Sequence, residues 1–168
     1  MIQKEHSHIQ NGRHDLEIVL IAENIRTPEN VGMIMRLSDA FGVAKIYFIG
    51  DHAIDLTTKV KRASRNTFKT LDYEFGGEGL SQIQELTKSG YQAIALEITD
   101  RSKLIQNLNS NGLDKVVLVI GSERQGVSEH LLKLCKNHYH IPMYGENSSI
   151  NVVNALSIGL YKLTESAS

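Results

Sequence analysis

Along the chain, short apolar runs alternate with longer stretches in which apolar residues recur every three or four positions. The runs read as strands and the longer stretches as helices, and their alternation predicts an α/β fold, a mostly parallel sheet with helices on both faces. The first strand is expected over Leu16 to Ala22, followed by the loop Glu23 to Pro28 and a helix from Glu29 to Phe41 that Gly42 closes. Pro28 suits the first turn of that helix, where a missing N–H costs nothing. Lys45 to Ile49 reads as the second strand, with a polar connection and a basic stretch after it. Thr67 to Tyr73 is expected as a short strand, Gly76 to Gly79 as a turn, and Leu80 to Lys88 as a helix ended by Gly90. Gln92 to Ile98 reads as a strand, Leu104 to Leu108 as a short helix, and Asn111-Gly112 as a turn. Lys115 to Ile120 is apolar on both faces and is expected in the sheet interior. A helix over Val127 to Lys136, a strand over His138 to Ile141 and a last helix from Ile150 to Leu163 complete the pattern.

Composition narrows the class. The 168 residues suit one domain, expected over 1–168 with residues 1–14 as a flexible extension. An apolar share of 41% with two prolines excludes a disordered or fibrous chain. Apolar runs such as Val116 to Ile120 fall far short of the roughly 20 residues a membrane-spanning helix needs. The N-terminal stretch carries charge and histidine but no apolar segment, so no secretory or transit peptide is expected, and the expected compartment is the cytoplasm. The single cysteine, Cys135, cannot close an intrachain disulfide and is expected as a small buried residue on a helix rather than a reactive thiol. A net charge of −1 gives no general attraction to nucleic acid, so any such binding must come from a local patch.

Ligands in open α/β sheets bind beyond the C-terminal ends of the strands, and three loops there are unusual. In the first, Asn30 sits at a helix start, Gly32 in its first turn and Arg36 one turn later. Glycine inside a helix costs about 1 kcal/mol relative to alanine, so Gly32 suggests a close backbone approach, with Arg36 above it on the same face and open space around the guanidinium. An ordinary solvated arginine beside an inconsequential glycine is the alternative. The second loop is Gly121-Ser122-Glu123-Arg124-Gln125-Gly126, between an apolar strand and a helix, where glycine permits close ligand contact and the helix start offers free amides. It matches neither phosphate-loop nor dinucleotide fingerprints, and a plain turn with a solvated Glu123 is the alternative. In the third, Ser148, Ser149, Asn151 and Asn154 cluster at the head of a helix that is otherwise almost wholly apolar, which marks burial in the core or against a partner subunit. Capping by Ser148 or Ser149 accounts for one serine but not for Asn151.

The stretch after the second strand carries Lys59, Lys61, Arg62, Arg65 and Lys69 with no acidic residue between Leu56 and Leu71. It is a candidate phosphate-binding surface, with a merely solvated basic face as the alternative. His6, His8 and His14 lie in the polar N-terminal stretch, and His138 and His140 flank Tyr139 on a strand as candidate surface histidines; no metal site is expected.

The three loops together resemble the SpoU, TrmH-like, branch of the SPOUT RNA 2′-O-ribose methyltransferases. That family's first motif is Asn-x-Gly, three residues and Arg, then Phe-Gly, matched by Asn30, Gly32, Arg36, Phe41 and Gly42. Its second, Gly-x-Glu-x-x-Gly after an apolar strand, is matched by Gly121, Glu123 and Gly126. Its third, Ile-Pro-Met followed by Ser-Leu-Asn-Val, is matched by Ile141, Pro142, Met143, Ser149, Asn151 and Val152, with Ile150 in place of leucine. Val153 stands where many members have serine. The resemblance covers residues 16 to 164.

It implies a C-terminal deep trefoil knot, a homodimer, and methyl transfer from S-adenosyl-L-methionine to a ribose 2′-hydroxyl, with transfer RNA expected as substrate and ribosomal RNA as the alternative. It also implies a cofactor site at Leu96, Gly121, Ile141, Met143, Ser149 and Ile150. Arg36 matches the catalytic arginine, with Asn30, Glu123, Ser149 and Asn151 in support, and Lys59, Lys61, Arg62 and Arg65 are the expected RNA contacts. No counterpart of the separate RNA-binding domain of some relatives is expected, so RNA selection is expected to rest on this domain and its dimer. An arginine acting as literal base is disfavoured because a guanidinium stays protonated, so Arg36 is expected to stabilise developing alkoxide, with the proton passing to an RNA phosphate, water or Glu123. The rival class is a module of the same fold that binds RNA or cofactor without turnover; retention of Arg36 and Asn151 favours the enzyme.

Overall fold

The structure, a computed structural model, describes residues 12–165. Among these residues the strands are β1 (Glu17–Glu23), β2 (Lys45–Ile49), β3 (Tyr73–Phe75), β4 (Gln92–Leu96), β5 (Lys103–Leu104), β6 (Lys115–Gly121) and β7 (Asn137–His140). They form one sheet in the order β3-β2-β1-β6-β4-β7-β5, with every neighbouring pair parallel. The helices are α1 (Pro28–Ala40), α2 (Thr58–Ser64), α3 (Gly79–Lys88), α4 (Glu129–Leu132) and α5 (Val152–Glu165).

Side chains alternate across a strand with period two, and the central strands use both faces. Ile18, Leu20 and Ala22 of β1 and Val116, Leu118 and Ile120 of β6 join one core with Ile34 of α1, Val60 of α2 and Leu156 and Leu160 of α5. Val19, Ile21, Val117 and Val119 form the opposite core with Ile83 of α3 and Leu131 of α4. An α/β sheet covered on both faces is therefore what the apolar pattern specifies.

Three expectations are corrected, and one element is added. The basic stretch contains a helix, α2, started by Thr57, whose hydroxyl accepts Val60 N–H at 3.3 Å. Thr67 to Tyr73 is not a strand: Thr67–Lys69 is a 3-10 turn, and pairing with β2 begins only at Tyr73. Thr67 and Thr70 hydroxyls donate to Ser64 O and Thr67 O, the local bonding that competes with a ladder. Leu104 belongs to β5, which pairs with β7, and only Ile105–Asn107 turns as 3-10 helix. The helix expected over Val127 to Lys136 shrinks to α4, because Lys136 N–H is taken by Ala93 O as the chain enters the sheet. Cys135 is buried as expected but lies just past that helix.

Candidate active site

The C-terminal ends of β1, β4, β6 and β7 bring the three unusual loops together. Gly121 ends β6, and the chain then folds back so that Ser122 bridges Gly126, whose N–H donates to Ser122 O at 2.8 Å. A Cβ on Gly121 would collide with the backbone of Gly126 and Val127, so this glycine is required by the loop's own return. The close approach at Gly121 is a contact of the loop with itself, and the same glycine also lines the cleft described below. Two carboxylates missed in the sequence pin the loop: Glu97 Oε2 accepts Val127 N–H at 2.9 Å, and Glu23 Oε2 accepts Ser128 N–H at 2.7 Å. Each sits at a strand end, which the apolar pattern could have drawn attention to. The partner amides, 30 and 105 residues away in sequence, could not be read.

Held in this way, Glu123 reaches across to the other two loops. Its Oε1 accepts Asn30 Nδ2 at 3.0 Å, Asn151 Nδ2 at 3.1 Å and the Val152 backbone N–H at 3.3 Å. Asn151 Nδ2 also lies 3.3 Å from Asn30 Oδ1, as a donor. The carboxylate stands at the start of α5, where the free amides favour negative charge. Asn151 is itself the cap of α5, its Oδ1 accepting Val153 N–H at 2.8 Å. Capping by Ser148 or Ser149 is thereby corrected: both are exposed and neither makes the cap. Asn30, Glu123 and Asn151 form one hydrogen-bonded cluster. Ser149 stands apart from it.

Beside this cluster lies a cleft of about 420 Å³, within the usual size range of small-molecule sites. Leu96, Gly121, Ile141, Met143, Ser149 and Ile150 all line it, as does Glu123. Arg36 does not. It is exposed on α1 and makes no hydrogen bond or ion pair among the described residues. The space over Gly32 is filled by α2: a Cβ there would lie 2.5 Å from Val60 O and 2.6 Å from Ala63 Cβ. The glycine thus serves the packing of two helices, the close backbone approach its place in a helix implies, while the Arg36 guanidinium stays exposed. On α2 and its C-terminal turn, Lys61, Arg62 and Arg65 are exposed without ion-pair partners among the described residues, whereas Lys59 lies 3.7 Å from Glu29.

The histidines separate by position. His6 and His8 fall outside the described residues, while His14 Nε2 donates to Phe41 O at 2.8 Å. His138 is buried rather than at the surface, between Thr99 Oγ1 at 2.9 Å and Leu132 O at 3.0 Å. Burial pushes the Cys135 thiol up to about 12, so it is protonated and inert at neutral pH. Among the described residues no cluster of three metal-ligating side chains occurs, and no helix is long and apolar enough to cross a membrane.

Known proteins share this fold. The solved structure of an A. aeolicus TrmH/SpoU tRNA modifying enzyme superposes with a TM-score of 0.81 at 24% identity, over 91% of this chain and 77% of that one. An AdoMet-bound rRNA methyltransferase from Sinorhizobium meliloti gives 0.80 at 21% identity, over 89% and 56%. In sequence, the tRNA (guanosine(18)-2'-O)-methyltransferase of Aquifex aeolicus (strain VF5) is 28% identical over 87% of this chain and 68% of that protein. A putative TrmH family tRNA/rRNA methyltransferase of Staphylococcus aureus (strain MSSA476) is 29% identical over 92% of this chain and 61% of that protein. The chain thus spans between 61% and 68% of the length of these two curated relatives. The model of the SpoU rRNA Methylase family matches residues 17–161. With that match running from the first residue of β1 into the last helix, the chain belongs to the SpoU rRNA Methylase family.

Proposed function

We propose that this chain transfers a methyl group from S-adenosyl-L-methionine to a ribose 2′-hydroxyl of RNA, with transfer RNA as the substrate class. The observation that carries the reading is the convergence of Asn30, Glu123 and Asn151, from three distant loops, on one carboxylate oxygen beside the cleft. The cleft suits the cofactor: Leu96, Ile120, Ile141, Met143 and Ile150 offer an apolar wall, and Ser122 and Ser149 offer hydroxyls. When bound, the cofactor supplies an electrophilic methyl carbon on a positively charged sulfur.

The chain's own residues do the rest. Holding the ribose oxygen in line supplies much of the rate. Arg36, unclaimed by any partner among the described residues, presents a fixed positive charge to developing alkoxide or to the adjoining phosphate. Glu123 acts as a positioning residue, since three donors occupy its Oε1 and orient both asparagines. The proton departs to water or an RNA phosphate. Lys61, Arg62 and Arg65 on and after α2 supply phosphate neutralisation on the helix packed against α1.

Transfer RNA is favoured over ribosomal RNA by the name of the Aquifex relative. A homodimer is supported by the exposed Met33 of α1 and Ile158 and Tyr161 of α5, two helices that pack together. The family's trefoil knot is part of the same reading, supported by β6 and β7 flanking β4 while the chain returns through residues 141–151 to α5 on the far core. A cytoplasmic location is part of the same reading and is in keeping with an RNA substrate.

The test is incubation with methyl-labelled S-adenosylmethionine and unmodified total tRNA or rRNA, then nucleoside mass spectrometry, with Arg36→Ala as control. A labelled 2′-O-methylnucleoside from tRNA that disappears in the variant is expected. Label only in rRNA overturns the substrate class, and label in neither, with cofactor bound, favours a binding module.

A further inference from the structure

His140, the last residue of β7, lines the cleft beside Leu96, Ile98, Leu132 and Ile141 and has no part in the motifs or in the chemistry above. Its hydrogen bonds determine its tautomer. Ser102 Oγ donates its single proton to Thr99 O at 2.8 Å and accepts Thr99 N–H at 3.0 Å. In its 2.9 Å contact with His140 Nδ1 that oxygen can therefore only accept, so the imidazole proton sits on Nδ1. The neutral ring is left with a lone pair on Nε2 that has no partner among the described residues. His138, two residues earlier on the same strand face, has both ring nitrogens engaged and serves structure alone.

The surroundings of that lone pair select its ligand. Leu96, Ile98, Leu132 and Ile141 give the cleft an apolar wall, and the Glu97 carboxylate on that side is taken up by the Ile98 and Val127 N–H groups, whereas the polar groups of Ser122, Glu123, Arg124 and Gln125 lie on the loop after β6 and Ser148 and Ser149 on the loop before α5. An apolar wall suits a flat purine, and a purine nucleoside of the adenine type has one hydrogen-bond donor on its base, the exocyclic 6-amino group. We propose that His140 Nε2 accepts a hydrogen bond from the adenine 6-amino group of the methyl donor and so discriminates against a purine with a carbonyl at that position. This rests on the cofactor reading above. The selectivity has a repulsive half: a carbonyl oxygen would face an imidazole lone pair, leaving two buried acceptors unpaired.

Titration calorimetry of the full chain with S-adenosylhomocysteine and with S-inosylhomocysteine tests it. The wild type should prefer the adenosine ligand by roughly tenfold or more, as one unpaired buried polar group implies. His140→Ala should lower that ratio by about tenfold, while His140→Gln, whose amide oxygen can take the place of Nε2, should keep most of it. Looser anchoring of the 99–102 loop would weaken both ligands alike, so an unchanged ratio in His140→Ala overturns the assignment. A wild type that binds neither ligand overturns the cofactor reading and the assignment with it. Nitrogen NMR of the unsubstituted protein gives a readout independent of whether the variants fold. The His140 ring should be Nδ1-protonated, with an Nε2 resonance that moves on adding S-adenosylhomocysteine and moves less with the inosine ligand; an Nε2-protonated ring, or equal shifts, overturns the proposal.

Discussion

Asn151 carries two separable tasks on one side chain. Its oxygen caps α5 through Val153 N–H, and its amide nitrogen donates to Glu123 and Asn30. Asn151→Ser keeps a capping oxygen and removes the donor, whereas Asn151→Ala removes both. We expect Asn151→Ser to stay within about 0.5 kcal/mol of wild type and Asn151→Ala to lose about 1 kcal/mol, by urea denaturation. Methyl transfer should fall at least tenfold in both, as for loss of groups that orient a reacting oxygen. A serine variant that keeps full activity would remove the donor from the site. The sequence could show that Asn151 exceeds what simple serine capping explains. It could not show that the asparagine is itself the cap, because cap geometry depends on where the helix starts, at Val152 rather than at Ile150.

The α1–α2 pair links a packing requirement to the basic surface. Gly32→Ala gains up to about 1 kcal/mol in helix propensity, but its Cβ meets the backbone at Val60 and Ser64, which cannot move aside as a side-chain tip can. A net destabilisation of about 1 to 3 kcal/mol is expected, seen as a lower urea midpoint. Reversing Lys61 and Arg62 to glutamate leaves this contact intact, since both side chains are exposed. RNA affinity should fall, and the slope of log affinity against log salt should shrink by about 1.5 to 2 if both residues contact phosphates. An unchanged slope would take α2 out of the interface. The strands were largely legible because β1, β2, β4 and β6 are buried and apolar. Helix α2 was not, because its seven residues bury only Val60 and Ser64, too few to set a period. Helix α4 was over-read because the apolar residues after it, Leu134 and Cys135, pack as a turn that delivers Lys136 to the sheet.

At the scale of the whole molecule, two buried groups give folding a pH dependence on the alkaline side. Burial raises Cys135 from 9.0 to about 12, and burial with donation to Glu17 raises Tyr91 from 10.0 to about 12. Below the unfolded values both are protonated in both states, and their contribution is complete. Between about pH 9 and 12 the unfolded chain releases protons that the native state retains, so stability falls as pH rises, by up to about 1.4 kcal/mol per pH unit for Cys135. Urea midpoints should be lower at pH 10.5 than at pH 8, and Cys135→Ala should flatten that difference.

The order of the sheet also decides when the molecule can come into being. The central pair, β1 with β6, joins Glu17 to Lys115, so the two most apolar strands wait for roughly a hundred residues of intervening chain. During synthesis β1 can pair with β2 early, yet its other edge, carrying Ile18, Val19, Leu20 and Ile21, has no neighbour until β6 leaves the ribosome. Folding is therefore late and slow for a chain of this size, governed by loop closure more than by local propensity, and the interval before closure is when self-association threatens it most.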